Sequence, residues 1–77
     1  MLLDWAVVYT LNHALPSGER LSGRIWQHPV TSQWWAGANL LDAQGRIVRT
    51  FGAVSEHMAD AKAELTAQID AYLAAAG

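Results

Sequence analysis

The chemistry this sequence offers lies in its aromatic rings and guanidinium groups: four tryptophans, two tyrosines, one phenylalanine and four arginines in 77 residues. Such rings stack on flat partners, arginine lies over their faces, and both residue types are enriched where binding energy concentrates. Arg24 precedes Trp26 by two residues, and Arg49 precedes Phe51 by two. In a strand, where side chains repeat every second residue, each arginine therefore shares a face with its aromatic neighbour. Trp26, Trp35, Phe51, Arg24, Arg49, Asn39 and His28 form the candidate interaction set.

Other chemistries find little support. There is no cysteine, which removes thiol catalysis, iron–sulfur ligation and the common structural zinc sites. His57, Asp60 and Glu64 share helical spacing, but no His-x-x-x-His pair completes a metal site, and an acidic, solvated helix face accounts for them. His13 and His28 stand alone in strand or turn positions. Ser17, Ser22, Ser32 and Ser55 have turn, strand or cap explanations, and no glycine-rich phosphate loop is present. The sequence thus predicts a non-enzymatic protein with no cofactor and no metal.

The elements that position the aromatic set follow from periodicity. Residues 5–12 alternate large apolar side chains (Trp5, Val7, Tyr9, Leu11) in strand fashion. Leu15-Pro16-Ser17-Gly18-Glu19 suits a three-residue hairpin loop with glycine in the left-handed position. A second strand over about 20–28 ends at His28-Pro29, because proline has no ladder donor. A third, Gln33 to Leu41, and a fourth, Arg46 to Val54, flank the turn Asp42-Ala43-Gln44-Gly45. From Ser55, a plausible N-cap, the period becomes helical: Met58, Ala61, Leu65, Ile69, Tyr72 and Ala76 recur at three- and four-residue steps over roughly 56–75. The expected fold is α+β, a single domain over 1–77 in which a four-stranded antiparallel meander carries one C-terminal amphipathic helix on one face.

Loop geometry sets register, and register sets faces. The first loop pairs Leu11 with Gly23, Tyr9 with Ile25 and Val7 with Gln27. The second pairs Leu41 with Ile47, Leu40 with Val48, Asn39 with Arg49, Ala38 with Thr50 and Gly37 with Phe51. Trp5 and Trp34 then face the core. Trp26, Trp35, Phe51, Arg24, Arg49, His28 and Asn39 gather on the reverse face, which one helix cannot cover.

A net charge of −2 is unevenly spread, near neutral over residues 1–55 and acidic over 56–77. A pI near 5.8 lacks the broad basic footprint of phosphate binding. The expected partner is therefore a protein, either a second copy in a homodimer or a larger protein. Single-stranded nucleic acid, with bases stacked on Trp26, Trp35 and Phe51 and phosphates on Arg24 and Arg49, is the alternative. The layout of strands followed by one long helix loosely resembles small antitoxin and single-stranded-DNA coactivator domains, a likeness of topology that no sequence motif accompanies. No apolar run approaches the roughly 20 residues of a membrane span. The start Met-Leu-Leu-Asp-Trp lacks a basic signal region, so a cytoplasmic protein is expected.

Overall fold

The computed structural model describes residues 10–76, and these build one antiparallel sheet and one helix. The strands are β1 (Thr10–Ala14), β2 (Arg20–Gln27), β3 (Trp34–Leu41) and β4 (Ile47–Ser55), in the spatial order β1-β2-β3-β4, followed by α1 (Met58–Ala76). This is the expected meander with a C-terminal helix on one face. The start of the expected 5–12 strand, with Trp5, Val7 and Tyr9, lies outside the described residues.

Both tight turns have the anticipated chemistry. In the first, the Leu15 N–H donates to Glu19 O (2.8 Å) and the Gly18 N–H to Leu15 O (3.1 Å). In the second, the Asp42 N–H donates to Arg46 O and the Gly45 N–H to Asp42 O, each at 2.9 Å. Gly18 and Gly45 have φ of 92° and 83°, the left-handed conformation for which glycine pays no Cβ penalty. The β2–β3 connection closes through the His28 N–H on Gln33 O (2.7 Å), with Ser32 itself left-handed at φ 62°.

The Asp42 carboxylate braces the second turn. Its Oδ1 accepts the N–H groups of Gln44 and Arg46, and its Oδ2 accepts Arg46 Nε, all at 2.9 Å. The Arg46 backbone N–H foremost, helped by the Arg46 side chain and the Gln44 and Gly45 N–H groups, holds this carboxyl below its ordinary value of 3.8, against a smaller opposing effect of burial. A lowered folded-state pKa means the contribution is complete above the ordinary value and disappears as pH falls through the folded one. The parent's urea midpoint is therefore expected to drop below about pH 4 more steeply than that of Asp42→Ala. Parallel pH profiles for the two proteins would contradict this role.

The first hairpin has the predicted register, Leu11 opposite Gly23. The third pairing departs from it. Leu41 does face Ile47, but a bulge between Leu40 and Leu41 then places Leu40 opposite Arg49, Asn39 opposite Thr50, Ala38 opposite Phe51 and Gly37 opposite Gly52. One extra residue in a strand exchanges its two faces from that point on. Phe51 and Arg49 consequently lie on the helix-covered side, and Thr50, Gly52 and Val54 on the open side. Expecting Phe51 across from Gly37, and Arg49 and Phe51 in the open-face set, was wrong for this reason.

The core forms between this sheet face and the helix. Leu11, Leu21, Ile25, Ala36, Ala38, Leu40, Phe51 and Ala53 from the strands meet Ala61, Leu65 and Ile69 from α1, with Trp34, Met58, Tyr72 and Leu73 partly buried around them. Ala61, Leu65 and Ile69 have no exposed surface, as the helical spacing requires. Phe51 lies opposite Ala38 in this layer, its ring meeting Tyr72 edge-on at 5.6 Å. The helix begins two residues later than expected. His57 O accepts its first N–H, from Ala61, while the Ser55 hydroxyl accepts the His57 N–H at 3.3 Å and so shapes the strand-to-helix turn instead of capping α1.

At Gly23 the neighbouring strand leaves no room for a side chain. A Cβ there would stand 2.8 Å from Gly37 O and 3.0 Å from the Ala38 Cβ, so backbone would have to move. Gly23→Ala is expected to lower stability by about 1–3 kcal/mol, as overpacking does. Urea denaturation checks it, and an unchanged midpoint would show that β2 and β3 have slack at this point.

Candidate interaction face

Opposite the helix, side chains form rows that cross the sheet. The pairings align Trp26 with Trp35 and Val54; Arg24 with Gly37 and Gly52; Ser22 with Asn39 and Thr50; and Arg20 with Leu41 and Ile47. An apolar end, a glycine gap, a polar row and a second apolar end therefore succeed one another along the strands.

The aromatic end is built from β2 and β3. The Trp26 and Trp35 rings stack at 6.3 Å with 24° between their planes, and they remain 37% and 38% exposed. Val54, 42% exposed, extends this end onto β4. The Arg24 guanidinium lies 4.7 Å from the centre of the Trp26 ring. A guanidinium over an indole face makes a cation–π contact and keeps N–H groups able to donate. His28 stands 6.3 Å from Trp35 at a tilt of 35°. Its Nδ1 accepts the N–H groups of Val30 (3.1 Å) and Thr31 (3.3 Å), so this histidine ties down the loop beside the tryptophans.

Gly37 and Gly52 contribute no side chains to the next row, which leaves a shallow depression of about 300 Å³ over Gly37. Trp26 forms one wall: a Cβ built on Gly37 would touch its ring at 3.7 Å. Ser22, Asn39 and Thr50 form the other. Thr50 Oγ1 donates to Asn39 Oδ1 at 3.0 Å, which leaves the Asn39 amide N–H groups to donate elsewhere. The depression is thus flat and aromatic on one side and supplied with hydrogen-bond donors on the other.

Of the seven candidates, Trp26, Trp35, Arg24, Asn39 and His28 come together on the open face. Phe51 and Arg49 do not; the Arg49 guanidinium instead covers Tyr72 at 4.9 Å, with Phe51 at 5.6 Å, at the edge of the core. Val54, Thr50 and Gly52 were missed because the bulge was missed. The signal that identifies them is residue type, since Phe51, large and apolar, is 5% exposed on the covered side whereas the smaller, polar Thr50 meets Asn39 on the open one.

The β4 edge is partly closed. Gln68 Nε2 reaches from α1 to donate to Gly52 O at 2.8 Å, which occupies an acceptor that an added strand would use. His57, Asp60 and Glu64 are exposed, and no group of three potential metal ligands is gathered among the described residues. No helix among those residues is long and apolar enough to cross a membrane.

Fold and face together define an α+β domain with a one-sided sheet and a half-exposed tryptophan pair on its uncovered side. Comparison with protein-family models, with curated proteins and with solved structures finds no match.

Proposed function

We propose that this chain is a non-enzymatic protein-interaction module that docks a second copy of itself or a larger protein on its open sheet face. The observation that carries this reading is the stacked Trp26–Trp35 pair, more than a third exposed, on a face the helix does not cover. Apolar patches of this kind on small domains usually mark contact surfaces, and tryptophan is the residue most enriched at their energetic centres. Size supports it as well, since a cysteine-free domain of 77 residues gains from burying further surface in a complex. The cysteine-free sequence also suits a reducing compartment, and we place the protein in the cytoplasm.

Light scattering on the purified protein at micromolar concentration tests the reading. A mass of twice 8.4 kDa that returns to the monomer in Trp26→Ala supports pairing through this face. A dimer that survives both Trp26→Ala and Trp35→Ala sinks the proposal, because association then uses another surface. Arg24 over Trp26 favours one second reading, a single-stranded polynucleotide with bases on the indoles and phosphate on the guanidinium. Quenching of tryptophan fluorescence by oligo-dT at low salt, weakened in Arg24→Ala, would establish that reading in place of the first.

A further inference from the structure

The charge and dimensions of the open face identify its occupant more narrowly, provided that the face is an interaction surface as proposed above. Arg20 and Arg24 are the formally charged residues in its rows, and no carboxylate joins them there among the described residues. Asp42, at the end of the sheet, is engaged by Arg46. The acidic groups Glu56, Asp60 and Glu64 stand exposed around α1, on the other side of the molecule. A two-fold pairing of open faces would thus bring four arginines together with no acid among the described residues of the faces to answer them, an arrangement that costs binding energy.

Area leads to the same conclusion. Described strands of five, eight, eight and nine residues, at ~3.3 Å rise and ~4.8 Å spacing, give a face of roughly 500 Å². Two such faces bury about 1,000 Å², at the lower limit for a specific protein pair. A single extended segment laid across the rows is better matched to this surface. The depression over Gly37 is about 300 Å³, room for one flat apolar side chain against Trp26. Around it stand donors: the Arg24 guanidinium held on the Trp26 ring, the Asn39 amide and the Ser22 hydroxyl. A planar guanidinium with N–H groups able to donate matches a carboxylate bidentately.

We infer that the open face receives an acidic peptide segment of a partner protein, placing an aromatic or other flat apolar side chain over Gly37 against Trp26 and a neighbouring Asp or Glu carboxylate on Arg24. The full chain, fluorescently labelled, is applied to a random-sequence peptide array, in parallel with Arg24→Glu and Trp26→Ala. The expected binders of the parent are enriched in Asp and Glu next to Phe, Tyr, Trp or Leu. Arg24→Glu reverses that preference toward Lys and Arg, Arg24→Ala weakens an acidic binder by about tenfold or more, and Trp26→Ala loses binders of every charge. Binders without acidic enrichment that still depend on Trp26 overturn the inference and leave the interaction face standing. So does a dimer that Trp26→Ala dissolves, since a second copy is then the occupant. Oligo-dT binding with no peptide retained overturns the inference in favour of a polynucleotide. A monomer that retains neither peptide nor oligo-dT overturns both the inference and the proposed function.

Discussion

Phe51→Ala is expected to lower the stability of the domain by about 3–5 kcal/mol, the range for truncating a buried phenylalanine. Phe51 is 5% exposed, lies opposite Ala38, and supports Tyr72 of α1 edge-on. Its loss leaves a cavity between sheet and helix and deprives Tyr72 of a ring partner, while the Arg49 guanidinium now stacked over both rings loses half of its platform. At ~0.05–0.15 kcal/mol per residue a domain of this size holds only ~4–12 kcal/mol in all, so the substitution removes a large part of it. Urea unfolding followed by circular dichroism measures the effect. Thr50→Ala is the comparison, because its side chain lies on the opposite face, where truncation costs a hydrogen bond to Asn39 worth about 1 kcal/mol. If Phe51→Ala shifted the midpoint no more than Thr50→Ala, Phe51 would face solvent and the bulge at Leu40/Leu41 would be absent.

Most of the architecture was legible in the sequence because local chemistry and periodicity agreed. Glycine three positions after Leu15 and after Asp42 set both hairpin loops, and the pairing of Leu11 with Gly23 and of Leu41 with Ile47 followed by counting. Ala61, Leu65 and Ile69 on one helical stripe located the covered face. Counting stopped being reliable where the chain inserted an extra residue. Ile47 and Val48, both exposed, occur just before the strand's alternation changes phase, and no glycine or proline announces the bulge. The deciding physical fact is nonlocal, because Phe51 is buried against Ala38 of β3 and Tyr72 of α1, neither of them near it in sequence. Ser55 illustrates a smaller failure of the same kind. Its hydroxyl does bond a nearby N–H, but that of His57 in a turn, because β4 runs through Ser55 before the chain can become helical.

The register change makes the open face more coherent than the one first expected. Moving Arg49 to Tyr72 removes one of the two arginines assigned to phosphate, which weakens the polynucleotide reading. Moving Gly52 and Val54 outward does the reverse for a peptide. Gly52 beside Gly37 widens the gap in the side-chain rows, and Val54 continues the apolar end beyond Trp35. What remains on the face is a flat aromatic wall, an adjacent gap and donors on its far side, features suited to one side chain and a carboxylate.

Trp26→Ala is expected to abolish most binding by this face while leaving the domain folded. The indole has three roles there: it stacks on Trp35, carries the Arg24 guanidinium and walls the depression over Gly37. Removing it takes away apolar contact area and releases Arg24 to solvent, where holding a carboxylate costs side-chain entropy again. Aromatic hot spots of this kind cost about 2 kcal/mol or more on truncation, which is roughly a 30-fold loss of affinity. Within the isolated domain the loss is smaller, about 0.5–1.5 kcal/mol for the broken ring pair, because the ring is already partly in water. Trp35→Ala should follow the same pattern with a weaker effect on binding, since Trp35 touches the depression only through Trp26. Titration calorimetry with an acidic peptide chosen from the array, run beside urea denaturation of the same proteins, separates the two quantities. Trp26→Ala losing fold and binding together would mean that the indole is a core residue, and the working surface of the protein would then have to be sought elsewhere on the molecule.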